Sequence, residues 1–473
     1  NFGALSSKYG LNGGSGEFHI AKSERPQQNH GLFSARPSPL SFDEIVSTSW
    51  KASIDFAAVS DVGMRRSNNQ DAHAEVPADS PDRLRSRGHL FLVADGMGAH
   101  AAGELASRIA AEQIPLHYLR QSTADPIQAL REAVEQANSD IHQRGQQNRE
   151  FHNMGTTASS LAILADGVII AHVGDSRVYR LRGNRLEQLT FDHSLIWEMQ
   201  ASGQIKPDSQ LSGSIPKNII TRSLGPSPGV KVDIEGPFPV LPGDRFLLCS
   251  DGLTGQVDDS EIGPLVAALN PDLAARVLVD LANLRGGPDN ITVIVVDVRE
   301  HEPPPGERRL MIPTVGRIPW AMVGATLFCL LGAAILEFSG NRGAMIVAAV
   351  LAAIAAGVAI FQTIRRPPNK PAKAVNDDSP GPRRSAPYRT SPAKPTTEML
   401  EKLDDVLSAL REAAQERRWL VDWAQVDSSL ADNQTMRHQG RLAEVIRLQA
   451  QAIVQTMSQL RSQQRGKGET IKG

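Results

Sequence analysis

The chain has 473 residues, 50 Lys and Arg against 52 Asp and Glu, a formal net charge of -2, and two cysteines. This length predicts two to four domains, and the near-neutral charge gives no general reason to expect nucleic-acid binding. Cys249 and Cys329 are too far apart for a disulfide framework or a zinc motif, so the composition favours a reducing compartment.

The first 300 residues divide into a tail and a folded region. Residues 1–50 are rich in Gly, Ser, Asn and Pro and predict a flexible tail without a signal peptide. From 51 to 300, short apolar runs that end in Asp, Gly or Asn predict strands, and helical spacing predicts helices. The strand candidates are FAAVSDVG, HLFLVADG, TASSLAILADG, VIIAHVGD, RVYRL, DRFLLCSDG and NITVIVVDV. The helix candidates are ELASRIAAEQIPLHYLR, DPIQALREAVEQANSDIHQR and DLAARVLVDLANL.

The connections between these runs are short. DGVIIAHVGDSRVYRLRGNRLEQLT predicts successive hairpin strands, with RGN as a tight turn. Many strands joined by short turns, with a few long helices, predict an α+β domain whose sheets are largely antiparallel.

Two long apolar segments follow a basic linker at 301–317. Residues 318–338 and 344–364 almost lack charge and have about the twenty residues that a membrane-spanning helix needs. The alternative is a buried helical hairpin of a soluble domain. Only SGNRG separates the segments, and both outer flanks are basic, which predicts a transmembrane hairpin with both flanks in the cytoplasm. The flanking basic residues are Arg308, Arg309, Arg317, Arg365, Arg366 and Lys370.

The C-terminal part begins with a Pro-, Ser- and Arg-rich segment, 365–396, which predicts a solvated linker. Residues 397–473 carry apolar stripes at helical spacing, and Gln449 interrupts the second stripe. A helical hairpin, a coiled-coil dimer and a monomeric bundle packed on itself all fit this pattern. The stripe residues are Met399, Leu403, Val406, Leu410, Leu442, Ile446, Ile453, Met457 and Leu460.

Five aspartates lie beside the apolar runs of the folded region. A single Asp at a strand end is most often a turn residue, but five in one 250-residue region suggest a common site. Converging carboxylates repel one another unless cations bind between them, and oxygen ligands without clustered His or Cys favour Mg²⁺ or Mn²⁺. The five are Asp71, Asp95, Asp175, Asp251 and Asp289.

Two such ions could activate water for hydrolysis of a phosphate ester. A guanidinium would hold the phosphate. Arg66, five residues before Asp71, is the best candidate, Arg65 is its rival, and either could be an ordinary surface charge.

An ordered series of motifs over residues 53–298 resembles the metal-dependent protein Ser/Thr phosphatases of the 2C type, in their bacterial style. The motifs are SDVGMRRSNNQDAH, VADGMGAHAAGELAS, MGTTASSLAI, AHVGDSRVYRL, ITRSLG, LLCSDGLTG and GGPDNITVIVV. The resemblance implies a four-layer α-β-β-α sandwich of two antiparallel sheets flanked by helices, with a metal centre at one end.

The resemblance also implies a set of metal ligands. Asp95 would bridge two Mg²⁺ or Mn²⁺ ions and Gly96 would contribute its carbonyl. Asp251 and Asp289 would complete the protein ligands of the first ion. Asp175, with Asp251, could hold a third ion.

Other residues follow from the same resemblance. Arg66 would bind the phosphate, and Asp71 would act through metal-bound water. Gln70 stands where many members have Glu, and Met97 stands where animal enzymes carry a His proposed as general acid, so the leaving-group acid is unidentified. His193 lies in a region that forms a flap beside the site, where a structural role is at least as well supported as a substrate contact.

Together these features predict a multi-pass protein of the cell inner membrane with a cytoplasmic phosphatase domain and C-terminal region. It would hydrolyse phosphoserine and phosphothreonine of phosphoprotein substrates by direct attack of water activated at the metals, and would oppose a Ser/Thr protein kinase system. The alternatives are a catalytically silent scaffold or sensor, and an assembly module that forms oligomers through the C-terminal helices.

Overall fold

A computed structural model describes residues 54–299 and 385–469, apart from 99, 100, 124, 166, 207, 208, 210–214, 217 and 218. The strands are β1 Ile54–Asp61, β2 Asp71–Val76, β3 His89–Met97, β4 Gly155–Thr156, β5 Ala158–Ile163, β6 Val168–Val173, β7 Arg177–Arg182, β8 Arg185–Gln188, β9 Asp233–Phe238, β10 Arg245–Cys249, β11 Ile291–Val298 and β12 Arg389–Pro392. The helices are α1 Pro81–Ser86, α2 Ala102–Arg120, α3 Pro126–Gln147, α4 Leu195–Ala201, α5 Asp251–Thr254, α6 Asp259–Ala268, α7 Pro271–Leu284, α8 Thr397–Arg417, α9 Trp423–Leu430, α10 Asn433–His438 and α11 Leu442–Glu469.

The strands form two antiparallel sheets. The first sheet has the order β1-β11-β10-β7-β8-β12, and the second has the order β2-β3-β5-β6-β9, with β4 beside β3. Alternating side chains of β3 and β11 bury both faces of their strands, as their apolar sequences predict. The predicted α+β sandwich of two antiparallel sheets with helices is therefore confirmed.

Four layers follow from the apolar contacts. Phe91, Leu161 and Ile294 belong to the core between the two sheets. Helices α2 and α3 cover the outer face of the second sheet, and α6 and α7 cover the outer face of the first. Each layer buries the apolar face of the next, which is how a sheet sandwich forms a stable core.

The predicted run of hairpins across 168–188 is only partly correct. β7 and β8 form an antiparallel hairpin around Gly183, but β6 pairs in the second sheet and β7 in the first. The turn between them therefore crosses from one sheet to the other. Gly174 adopts a φ of +113°, and a Cβ there would lie 2.5 Å from Thr157 side-chain atoms. The crossing brings Asp175 to one end of the sandwich.

The C-terminal helices continue the core of the sandwich. α11 packs on both α8 and α7, and Leu403, Ile453 and Leu278 belong to one apolar cluster. The apolar stripes of α8 and α11 are therefore buried within this chain. Gln449, which interrupts the second stripe, is buried and donates a hydrogen bond of 3.2 Å to the Leu400 carbonyl.

Part of the predicted linker 365–396 is folded. Residues 389–392 form β12, which pairs with β8 at the edge of the first sheet, and Arg389 lies opposite Gln188. The open edge of β8 explains the difference, because an extended segment satisfies the unpaired backbone groups of an edge strand. Pro392 lies at the last position of this strand.

The predicted membrane segments 318–338 and 344–364, the linker 301–317 and the tail 1–50 lie outside the described residues. Among the helices of the described ranges, none has the length and apolar character needed to cross a bilayer.

Candidate active site

All five predicted aspartates lie at one end of the sandwich. Asp71 begins β2 and pairs across the strands with Asp95, near the end of β3. Asp95 lies on the same face of β3 as Phe91 and Val93, whose side chains lie between the sheets. The strand geometry therefore directs the Asp95 carboxylate into the end of the sandwich instead of its outer face.

The other three aspartates reach this end from the loops. Asp251 is the first residue of α5 and lies two residues after the end of β10. Asp289 lies two residues before the start of β11. Asp175 lies in the turn that crosses from β6 to β7. Residues far apart in sequence thus converge because their strands are neighbours in the two sheets.

The convergence perturbs the carboxyl groups electrostatically. Burial raises the pKa of Asp95 well above its usual value, and the charges of Asp71, Asp251, Asp175 and Asp289 raise it further. Burial followed by the charge of a neighbouring aspartate also raises the pKa of Asp175 and of Asp251. Five close carboxylates thus repel one another, and bound cations would relieve the repulsion.

Asp71 is held by two hydroxyl groups. Ser250 and Thr292 each donate a hydrogen bond of 2.7 Å to its Oδ2 atom. Burial raises the pKa of Asp71 to about 7, although these two hydrogen bonds lower it. Ser250 and Thr292 were not predicted, although both lie within one to three residues of a predicted aspartate.

Asn290 is a second residue that the sequence did not indicate. Its Oδ1 accepts a hydrogen bond of 2.8 Å from the Gln70 backbone N–H, and its side-chain amide donates to the Val62 and Asn68 carbonyls. It therefore fixes the loop that carries Arg66 against the start of β11. Its position beside Asp289 was the available signal.

Gly96 is required by close backbone packing. A Cβ at this position would lie 2.2 Å from the Gly103 carbonyl oxygen and 2.5 Å from that of Gln70. Both are main-chain atoms, which have little freedom to move. The Gly96 N–H donates to the Gln70 carbonyl at 3.0 Å, so the end of β3 and the first motif are held together here.

Arg66 contacts the acidic cluster. Its Nη2 donates to Asp289 Oδ2 at 2.8 Å, and the Arg66 side chain is 48% exposed. Of the two candidate arginines, Arg66 is the one that contacts Asp289, and its role in phosphate binding stays a prediction. A half-exposed guanidinium beside the cluster can present further N–H groups to an anion.

The aspartates of the site offer only oxygen atoms as ligands to a cation. Within the described residues, no three or more Asp, Glu, His or Cys side chains form a group that holds one ion as the side chains are placed. The chemistry fits, because the oxygen donors are hard and mutually repelling, and because Asp71 Oδ1 and Asp175 Oδ1 are buried without a hydrogen-bond partner.

His193 has a structural role in this site. It is fully buried; the Gly174 N–H donates to its Nδ1 at 2.9 Å, and its Nε2 lies 2.9 Å from Asp233 Oδ2. These bonds fix the turn that carries Asp175. Met97, at the end of β3, has no proton to donate, so the structure leaves the leaving-group acid unassigned.

A cavity of about 560 Å³ extends from the aspartates along α4. Its lining includes Asp175, Asp251, Trp197, Gln200 and Arg389. The aspartate cluster therefore opens into a space that is large enough for part of a peptide. Arg389 was not predicted as a site residue, because its segment lies beyond the predicted membrane hairpin.

The family model for protein phosphatase 2C matches residues 64–279. Protein phosphatase PhpP of Streptococcus pneumoniae is 37% identical over 255 residues, which are 53% of this chain and 99% of PhpP. Serine/threonine phosphatase stp of Listeria welshimeri is 37% identical over 214 residues, 44% of this chain and 84% of that protein.

One similar solved structure is the catalytic domain of serine threonine protein phosphatase PstP in complex with two manganese ions. It is 31% identical, covers 52% of this chain and 99% of its own, and superposes with a TM-score of 0.44.

Proposed function

The chain belongs to the protein phosphatase 2C family and is a protein phosphatase, and from this premise we propose the reaction and the roles of its residues. The reaction is hydrolysis of phosphoserine and phosphothreonine in proteins by direct attack of water, without a phosphorylated enzyme. The observation that carries the proposal is the convergence of five aspartates at one end of the sandwich, with Arg66 in contact with one of them.

Two Mg²⁺ or Mn²⁺ ions would be held at this end. Asp95, Asp251 and Asp289 would hold the first ion, Asp95 and the Gly96 carbonyl would hold the second, and Asp175 with Asp251 could hold a third. When bound, the ions supply a nucleophile at neutral pH and neutralise the charge on the phosphoryl group.

The residues of the chain would orient the reactants. Arg66 is half-exposed, so it can turn from Asp289 toward a phosphate and bind two of its oxygens. Asp71 Oδ2 accepts from Ser250 and Thr292, which leaves Oδ1 to orient a water. The hydroxyl groups thus fix the direction in which the second carboxylate oxygen points.

The reaction is tested with the full chain and Asp251→Asn. We expect the variant to lose about 100-fold or more in Mn²⁺-dependent hydrolysis of p-nitrophenyl phosphate and of a phosphothreonine peptide, as removal of one electrostatic group does in other enzymes. The matched control is Asp272→Asn, on the exposed side of α7. Wild-type activity in the Asp251→Asn variant would overturn the site, and a trapped phosphoenzyme would overturn the mechanism. A folded wild-type chain that binds phosphopeptides without hydrolysing them would instead be a silent scaffold.

We also propose that the enzyme is anchored in the cell inner membrane by 318–338 and 344–364 and opposes a Ser/Thr protein kinase system. The support is the length of both apolar segments and the arginines on both outer flanks. Alkali-resistant recovery in the membrane fraction, lost on deletion of 318–364, is the expected result. Recovery of the intact chain in the alkali-soluble fraction would contradict the anchor.

A further inference from the structure

We propose that Arg389 is a substrate-binding residue that recognises a second anionic group, a carboxylate or a phosphate, beside the scissile phosphate of the phosphoprotein. The proposal rests on the proposed function, because it names the class of phosphoprotein that the same site would prefer. Arg389 lies outside the residues that match the family model, 64–279. Any preference it confers would therefore belong to this chain's own C-terminal part.

The position of Arg389 depends on the pairing of β12 with β8. Arg389 is the first residue of β12 and lies opposite Gln188. Its neighbour Tyr388 is buried in an apolar cluster with Trp197 and Ile205. The Tyr388 backbone N–H donates to the Gln188 carbonyl at 2.8 Å. Backbone pairing and apolar packing together hold the segment beside α4.

Arg389 and the aspartate cluster line the same cavity. The lining of the cavity of about 560 Å³ includes Asp175, Asp251 and Arg389. A phosphoserine or phosphothreonine bound at the aspartates would direct its neighbouring residues into this space. An arginine in the wall is therefore placed to contact the peptide, not the scissile bond.

The cavity wall contains two arginines, Arg177 and Arg389. Arg177 donates to both oxygens of Asp192 at 2.7 to 3.1 Å, so its charge is matched. Asp259 accepts from the Tyr179 hydroxyl at 2.8 Å. Arg177 also lies 3.9 Å from Asp259, so it is the arginine that forms the ion pairs with Asp192 and Asp259.

Arg389 has no comparable carboxylate contact within the described residues. Its guanidinium lies over the Trp197 ring, 4.1 Å from the centroid, and Nη2 donates to Gln200 Oε1 at 3.3 Å. Burial and the nearby Arg177 lower the pKa of Arg389, and the charges of Asp192 and Asp259 oppose this change. A guanidinium has five N–H groups, so several can still donate to an incoming anion. The contact with the Trp197 ring restricts the guanidinium, which favours bidentate binding of an anion.

The test uses the full chain with Mn²⁺ and three phosphothreonine peptides of one backbone sequence. One peptide has neutral neighbours, one has Glu within three residues of the phosphothreonine, and one has a second phosphothreonine there. We expect Arg389→Gln to lower the ratio of kcat/KM between each anionic peptide and the neutral peptide about tenfold, mainly through KM. Loss of one charge-assisted hydrogen-bonded contact has this magnitude. Arg389→Lys should restore part of the ratio.

The control is Arg85→Gln, an exposed arginine of α1 that pairs with Asp82. It should leave the ratio unchanged. An equal loss for all three peptides in Arg389→Gln would mean that Arg389 only supports Trp197, and an unchanged ratio would mean that no anion binds there; either result overturns the proposal. A wild-type chain inactive on every peptide and on p-nitrophenyl phosphate would refute the proposed function instead. A response to only one of the two anionic peptides would identify the anion.

Discussion

At the scale of single residues, the active site is built from groups that are costly to bury. Five carboxylates share one end of the core, and the Asp71 carboxylate is partly compensated by the hydroxyl groups of Ser250 and Thr292. Uncompensated buried charge opposes folding, so the site depends on ligands or protons to balance it. Its precision comes from close backbone packing, which leaves no room for a Cβ at Gly96 or at Gly252.

Gly96→Ala should therefore be severe. The added Cβ would meet two carbonyl oxygens at 2.2 and 2.5 Å, so β3 and its neighbours must separate. We expect a loss of about 3 kcal/mol in the free energy of unfolding, measured by denaturant titration, and a fall in Mn²⁺-dependent activity. Gly229→Ala is the matched control, because nothing lies within 4 Å of its Cβ position. Equal stability of the two variants would refute the packing argument.

Protonation of His89 should make the stability of the fold depend on pH. It is buried and accepts a hydrogen bond from the Ala78 N–H at 3.1 Å, and burial lowers its pKa from 6.5 to about 4. The unfolded chain therefore takes up a proton at a higher pH than the folded chain. Stability is retained above about pH 6.5 and falls between pH 6.5 and 4, by up to about 3 kcal/mol from this group.

His89→Asn should flatten this dependence. Asn Oδ1 can replace Nδ1 as the acceptor for the Ala78 N–H but does not titrate in this range. The measurement is the midpoint of urea unfolding at pH 7.5, 5.5 and 4.5 for both proteins. An unchanged slope between these pH values would show that His89 is not the group responsible.

At the scale of elements, the contact between α7 and α11 joins the C-terminal part to the sandwich. Arg461 of α11 donates a hydrogen bond to Asp280 of α7, whose side chain is 1% exposed. Burial raises the pKa of Asp280 to about 6, and Arg461 opposes the rise. This pair lies beside the shared apolar cluster, which supplies most of the attraction between the helices.

Arg461→Gln should leave Asp280 without its cation. We expect a loss of about 3 kcal/mol at pH 7.5, because an uncompensated buried carboxylate is strongly unfavourable. The loss should be smaller at pH 5, since the folded pKa lies above the unfolded value and the carboxyl accepts a proton below it. The Asp280→Asn/Arg461→Gln double variant should recover part of the stability at pH 7.5. A double variant less stable than either single variant would contradict a stabilising interaction between Asp280 and Arg461.

Much of the element pattern could be predicted from the sequence, and part of it could not. The seven strand candidates and three helix candidates all coincide with elements of the fold. β2 was missed because DAHAEV lacks an apolar run, and β12 was missed because a Pro- and Arg-rich segment has low strand propensity. Both form because an adjacent strand offers unpaired backbone groups, which is a property of the partner and not of the segment itself.

At the scale of the whole molecule, the described parts before and after the predicted membrane hairpin belong to one compact unit. α11 packs on both α8 and α7, and residues of these helices and of β11 belong to one apolar cluster, so the C-terminal part and the sandwich bury apolar surface against each other. The returning segment also supplies Arg389 to the cavity. Catalytic and C-terminal parts are therefore coupled through a common core.

Residues 51–300 and 385–473, expressed together as separate chains, should copurify. Residues 51–300 alone should unfold at a temperature lower by roughly 10 °C, since loss of several kcal/mol of apolar burial has this effect on a domain of this size. Calorimetry of the fragment and of the pair measures the difference. Ile453→Asp in the second chain should abolish copurification, while Ser462→Asp, at an exposed position of α11, should not. A fragment as stable alone as in the pair would refute the shared core.

The sequence by itself predicted seven strands and three helices of the sandwich, and it singled out the five aspartates that lie together at one end of it. Local patterns suffice for these, because periodicity and turn chemistry depend on residues close in the chain. Tertiary structure decided that β6 and β7 lie in different sheets, that Asp71 pairs with Asp95, and that Arg389 reaches the cavity beside Trp197. These contacts join distant segments, and they form only where two surfaces bury apolar area and satisfy each other's hydrogen bonds, which no local pattern specifies.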